Sequence, residues 1–125
     1  MMNLDFSSVP SREPLEEGKY ILTIAEAEEK ISSTGNPMIS ITYDVNSTFD
    51  GVEVPGQRKL WDNYSLVEKA LFKIKELLEA LGYDTSELVT MDVTDMVGGQ
   101  VVAQVIQETY NGEIRNRIKK VYPLS

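Results

Sequence analysis

One stretch of this chain, Ser65 to Gly82, carries the 3.6-residue period of an amphipathic helix, and the segments on either side of it read as strands. Ser65 and Glu68 have the S-x-x-E spacing of a capping box, in which each side chain satisfies a free backbone N–H at a helix start. Leu66, Ala70, Leu71, Ile74, Leu77, Leu78 and Leu81 fall on one face. Gly82 follows the last apolar residue, where a left-handed residue closes many helices. Start, face and stop therefore agree on one helix over 65–82. A lone helix set between strands leaves few architectures open.

Before it, residues 1–18 hold Pro10, Pro14, several serines and a Glu16-Glu17-Gly18 turn, and read as an arm that Leu4, Phe6 and Leu15 pin to the body. Lys19 to Ser32 is a first strand, rich in Tyr, Ile and Thr, although its Glu26–Lys30 tail also suits a helix. Ser33 to Pro37 is a turn cluster. Met38 to Val45 is a second strand, with Ile39, Ile41, Tyr43 and Val45 on one face. After a loop over 49–56, Gln57 to Tyr64 is a third strand. Arg58, Leu60, Asp62 and Tyr64 share one of its faces, and Lys59, Trp61 and Asn63 the other.

Beyond the helix, Leu88, Val89, Met91, Val93, Met96 and Val97 suggest short helical turns covering the core. Gln100 to Glu108 is a fourth strand. Asn111-Gly112 is a strong hairpin signal. Glu113 to Tyr122 is a fifth strand, with Arg115, Arg117 and Lys119 on one face and Ile114, Asn116, Ile118 and Lys120 on the other. The order is three strands, one helix, two strands. This predicts a mainly β fold, an OB-fold-like five-stranded barrel (β-β-β-α-β-β), formed by a single domain over 19–125. Another small α+β sheet with one covering helix is the alternative.

Composition removes several functions. The chain has no cysteine and no histidine, hence no disulfide, no thiolate zinc site, no Ser-His-Asp triad and few transition-metal options. No apolar run reaches the roughly 18 residues of a membrane helix, and the N-terminus lacks the pattern of a signal peptide. Asp44, Asp50, Glu53 and Asp62 are the residues that would gather round Mg²⁺ in a nuclease, but their spacing matches no nuclease motif. The expectation is therefore a non-catalytic protein without metal or cofactor. The net charge of −8 hides two basic islands. Residues 57–75 carry five cations and two carboxylates, and residues 111–125 carry four and one.

Several stretches together resemble a known family. They are Asp5-Phe6, Glu13-Pro14-Leu15, Glu17-Gly18-Lys19-Tyr20, Ser33-Thr34-Gly35-Asn36-Pro37-Met38, Glu68-Lys69-Ala70-Leu71-Phe72-Lys73, Leu78-Glu79-Ala80-Leu81-Gly82 and Tyr110-Asn111-Gly112-Glu113-Ile114-Arg115-Asn116-Arg117. With these, nearly the whole chain is similar to small phage and prophage proteins long labelled only as a domain of unknown function, found among replication and recombination proteins. The resemblance implies an OB-like protein that binds single-stranded DNA in the cytoplasm of a bacterial host, alongside phage replication or recombination proteins. It carries no catalytic residues across.

Binding a single strand without sequence choice requires a cationic groove and flat side chains on which bases stack. In an OB barrel the third strand lies beside the fifth, which would bring Arg58 and Lys59 near Arg115, Arg117, Lys119 and Lys120. Trp61, Tyr64 and Tyr43 would offer stacking surfaces, and Tyr110 would sit in the loop between the last strands. Each residue also has a plainer reading. Trp61 suits a core anchor as well as a base platform. Tyr43 shares its face with β-branched residues, which favours the core over stacking, whereas Tyr64, beside Arg58 and Asp62, is the better stacking candidate. The Arg115/Arg117/Lys119 row is also what a solvated, edge-protecting strand looks like. The acidic remainder opposes a polyanion and leaves a second function open: a protein-binding module, either a homo-oligomer or an inhibitor that occupies a host DNA-binding site.

Overall fold

The computed structural model describes residues 14–54, 58–86 and 91–124. Five antiparallel strands form one sheet: β1 (Gly18–Ile31), β2 (Pro37–Thr48), β3 (Lys59–Ser65), β4 (Gln100–Tyr110) and β5 (Glu113–Pro123). One helix, α1 (Leu71–Ala80), lies between β3 and β4. The strand order is β3-β2-β1-β4-β5. Among the described residues, the expected mainly β fold with a single α-helix is therefore present. The edge strands β3 and β5 approach one another, but no ladder joins them and the sheet is not closed. Among the described residues, no helix is long and apolar enough to cross a membrane.

Alternation along the strands builds the core. Tyr20, Leu22 and Ile24 of β1, Ile41, Tyr43 and Val45 of β2, and Val101, Ala103 and Val105 of β4 are buried in one cluster. Period-2 patterning puts their neighbours on the outer face. Of three bulges, one leaves Asn46 of β2 as the extra residue, and the other two change the phase of a buried face. On β1, the register to β2 slips between Ile24 and Glu26, so Ala25 is the extra residue and Ala27 becomes the next buried position. The Glu26–Lys30 tail is strand, because its backbone pairs with Thr42 to Met38 of β2. On β5, the register to β4 slips between Gln104 and Val105, leaving Lys119 as the extra residue. Val121 is consequently buried, and Lys120, expected on the inner face with Ile118, turns outward.

The helix starts later than its sequence pattern suggests. Ser65 is the last residue of β3, paired with Met38, and the Leu66 N–H donates to the Pro37 carbonyl at 3.0 Å. Pairing with β2 thus holds Ser65 and Leu66 in extended backbone, where a capping box would have the helix begin. Ser65 Oγ accepts only from the Val67 N–H (3.3 Å), and a 3₁₀ turn over Glu68–Ala70 leads into Leu71. The stop is as expected. Gly82 takes φ 95°, Tyr83 N–H donates to Leu78 O (2.9 Å) and Gly82 N–H to Glu79 O (3.0 Å), which together make a Schellman closure.

Ile74, Leu77 and Ala80 are the buried residues of α1. The helix bridges the two edge strands. On one side Lys73 Nζ lies 2.7 Å from Asp62 Oδ1 of β3, and on the other the Val121 N–H of β5 donates to Glu76 Oε1 at 3.1 Å. Met96, in a 3₁₀ turn over Val93–Met96, is buried beside it. The positions Leu4, Phe6, Gln57, Leu88 and Val89 lie outside the described residues.

Candidate nucleic-acid interface

The gap between β3 and β5 forms a cleft of about 400 Å³, lined by Pro14, Arg58, Lys59, Leu60, Trp61, Ile114, Arg115 and Asn116. Two basic segments far apart in sequence meet there, because the sheet curls until its first and last edges face each other. Trp61 is 68% exposed: on β3 the core takes Leu60 and Tyr64, and Trp61 falls between them on the outer face. Across the cleft, Arg115 lies 5.1 Å from the centroid of Tyr110, an attractive cation–ring distance. Tyr110 is the last residue of β4, directly before the tight turn in which Asn111 (φ 50°) and Gly112 (φ 80°) reverse the chain. Arg117 lies two residues further along β5 and faces outward like Arg115. Lys119 is exposed at the bulge.

Tyr64 is not part of this surface. It is 1% exposed, and its hydroxyl shares a 2.5 Å hydrogen bond with that of Tyr43 inside the sheet. The charged neighbours that made it look like a stacking residue are explained locally. Asp62 points toward α1 and pairs with Lys73, whose ammonium lies 4.9 Å from the Tyr64 ring. Burial pushes both phenols well above the ordinary tyrosine range, and for Tyr64 the neighbouring Tyr43 and Asp62 add to this. Tyr43 is a core residue, as its face predicts.

Two cations of the cleft, and Arg117 beside it, already have carboxylate partners. Lys59 lies 2.6 Å from Asp44, Arg115 3.5 Å from Glu113, and Arg117 3.3 Å from Glu108. All six side chains are well exposed, and such surface pairs are worth no more than about 1 kcal/mol each. A phosphate can therefore exchange for the carboxylate at small cost. Asp44 and Asp62 are each engaged with a lysine, and among the described residues no three acidic side chains gather as a metal would require. A second depression, lined by Ala27, Glu28, Glu29, Met91, Asp92, Val93 and Thr94, carries three carboxylates and no cation among its described residues, so a polyanion is repelled from it.

Three lining residues, Pro14, Ile114 and Asn116, carry no signal of their own in the sequence. Asn116 works as a clamp. Its side-chain amide accepts from the Leu15 N–H (2.8 Å) and donates to the Leu15 carbonyl (2.9 Å), as a neighbouring strand would. Gln107 Nε2 donates to the same carbonyl at 2.9 Å. Buried Leu15 thus holds Pro14 at the rim of the cleft, and of the three apolar residues expected to pin the arm it is the one within the described residues.

A sequence model described as protein of unknown function (DUF669) matches residues 2–125. No curated protein matches the chain.

Proposed function

Since the chain belongs to the DUF669 family, whose function is unknown, we propose its role from its own geometry: it is a non-catalytic single-stranded-DNA-binding protein that engages the strand at the β3–β5 cleft. The observation that carries this is the meeting of Arg58, which directly precedes β3, and Lys59 and exposed Trp61 of β3 with Arg115 from β5 around one opening. Cations for phosphates and a free ring face for bases are the two requirements of binding without sequence choice. The strand order, with α1 spanning the two edges, supports an OB-like barrel whose last seam lacks a hydrogen-bonded ladder. On this reading the protein works in the cytoplasm of a bacterial host, beside phage replication or recombination proteins, and needs no cofactor.

Trp61 is the sole tryptophan, so its fluorescence reports on the cleft directly. Titration with a single-stranded oligonucleotide should quench it. The affinity should fall steeply with salt, each neutralised phosphate adding about −0.7 to the slope. Trp61→Ala should weaken binding by about 1–3 kcal/mol with little change in slope, since stacking is not ionic. A parent protein that neither quenches nor binds at low salt would overturn the reading. It would favour the protein-binding alternative, for which exposed Trp61 and Ile114 beside an unpaired strand edge provide the surface.

A further inference from the structure

We propose that the outer face of β1, β4 and β5 carries a second phosphate-binding subsite, built from Lys19, Lys120 and Tyr122, and that the bound strand runs along β5 from the cleft to reach it; this rests on the single-strand reading above. The register aligns Lys19 of β1 with Gln104 of β4, and Gln104 with Lys120 of β5. Both ammonium groups converge on one ring: Lys19 Nζ is 4.8 Å and Lys120 Nζ 5.3 Å from the centroid of Tyr122. Beneath them, Val102 is 2% exposed although it points away from the main core, so this part of the face is a built, partly desolvated patch.

The charge environment distinguishes the subsite from the cleft. Lys59, Arg115 and Arg117 each have a carboxylate partner, whereas neither Lys19 nor Lys120 forms an ion pair among the described residues. Both ammoniums lie within 5.3 Å of the same centroid, so the two positive charges repel each other, and an anion bound near both lowers that repulsion. The Lys119 bulge makes the path continuous. Strict alternation from Arg115 would turn Lys120 inward, but the extra residue restores it to the outward face. Arg115, Arg117 and Lys120 then form one outward row about 15 Å long, at the rise of an extended strand.

The test uses the full chain and oligothymidylates of two lengths, roughly five and roughly fifteen nucleotides, spanning the range of footprints seen for such folds. Lys19→Gln with Lys120→Gln should weaken binding of the longer probe and make its salt slope shallower by about 1.4, the value for two phosphates. The shorter probe, which fills only the cleft, should bind both proteins equally. A control, Lys69→Gln with Lys75→Gln, removes the same charge from the 3₁₀ turn and the helix and should leave both probes unaffected. If the control lowers affinity as much as the test pair, the effect is one of net charge and the subsite is refuted. If the test pair binds the longer probe as the parent does, the subsite falls while the cleft stands. A parent that binds neither probe removes the single-strand reading itself, and the subsite with it.

Discussion

Trp61 and Tyr64 stand three residues apart on β3, and an odd spacing on a strand sends them to opposite faces: Trp61 to solvent, Tyr64 to the core. The Tyr43–Tyr64 hydroxyl pair is the polar feature of that core. Tyr64→Phe should cost about 1–3 kcal/mol in urea unfolding, because it strands the Tyr43 hydroxyl without its partner. Adding Tyr43→Phe should cost less than a second such increment, since it removes the hydroxyl that Tyr64→Phe left without its partner. The pair also sets the response to alkali. Both phenols have folded pKa values raised above the ordinary value of about 10, so above that pH the unfolded chain releases protons that the folded chain retains. Their contribution to stability is complete below about pH 10 and declines as pH rises further. In a spectroscopic titration, two of the six tyrosines should ionise only when the protein unfolds.

At the scale of the element, α1 shows how strand and helix compete for one segment. Leu66, Ala70 and Leu71 fit the helical face by period, yet Ser65 and Leu66 are claimed by β2, and the helix begins only at Leu71. The apolar face is accordingly shorter than its pattern. Leu77 is fully buried, whereas Leu71 is 41% exposed at the first turn. Leu77→Ala should therefore cost about 2–5 kcal/mol in chemical denaturation. Leu71→Ala should cost well under half of that, because much less area leaves water there on folding. Equal losses at the two positions would show that the first turn packs as deeply as the second.

Across the whole molecule, an acidic chain gathers part of its positive charge along one seam. Replacing Arg115 and Arg117 by Glu should abolish oligonucleotide binding while leaving the melting temperature nearly unchanged, since both side chains are exposed and their carboxylate pairs contribute little. A large loss of stability instead would make the row structural. Five strands, the lone helix, the Asn111-Gly112 reversal, the Gly82 stop and the core face of Ile39 to Val45 were all legible from the residues alone. Each is governed by local chemistry: side-chain period, turn conformation, capping. What was not legible depends on partners distant in the chain. The helix start was decided by pairing of Ser65 with Met38, and the side of β5 on which Lys120 lies by a bulge opposite β4. The side chain of Asp62, which made Tyr64 look solvated, is taken up by Lys73 of α1. The sequence by itself determined which segments are strands and that two of them are basic. Only the tertiary structure decided that those two face each other, because curling of the sheet and the helix spanning its edges bring together residues some fifty positions apart, beyond the reach of any local rule.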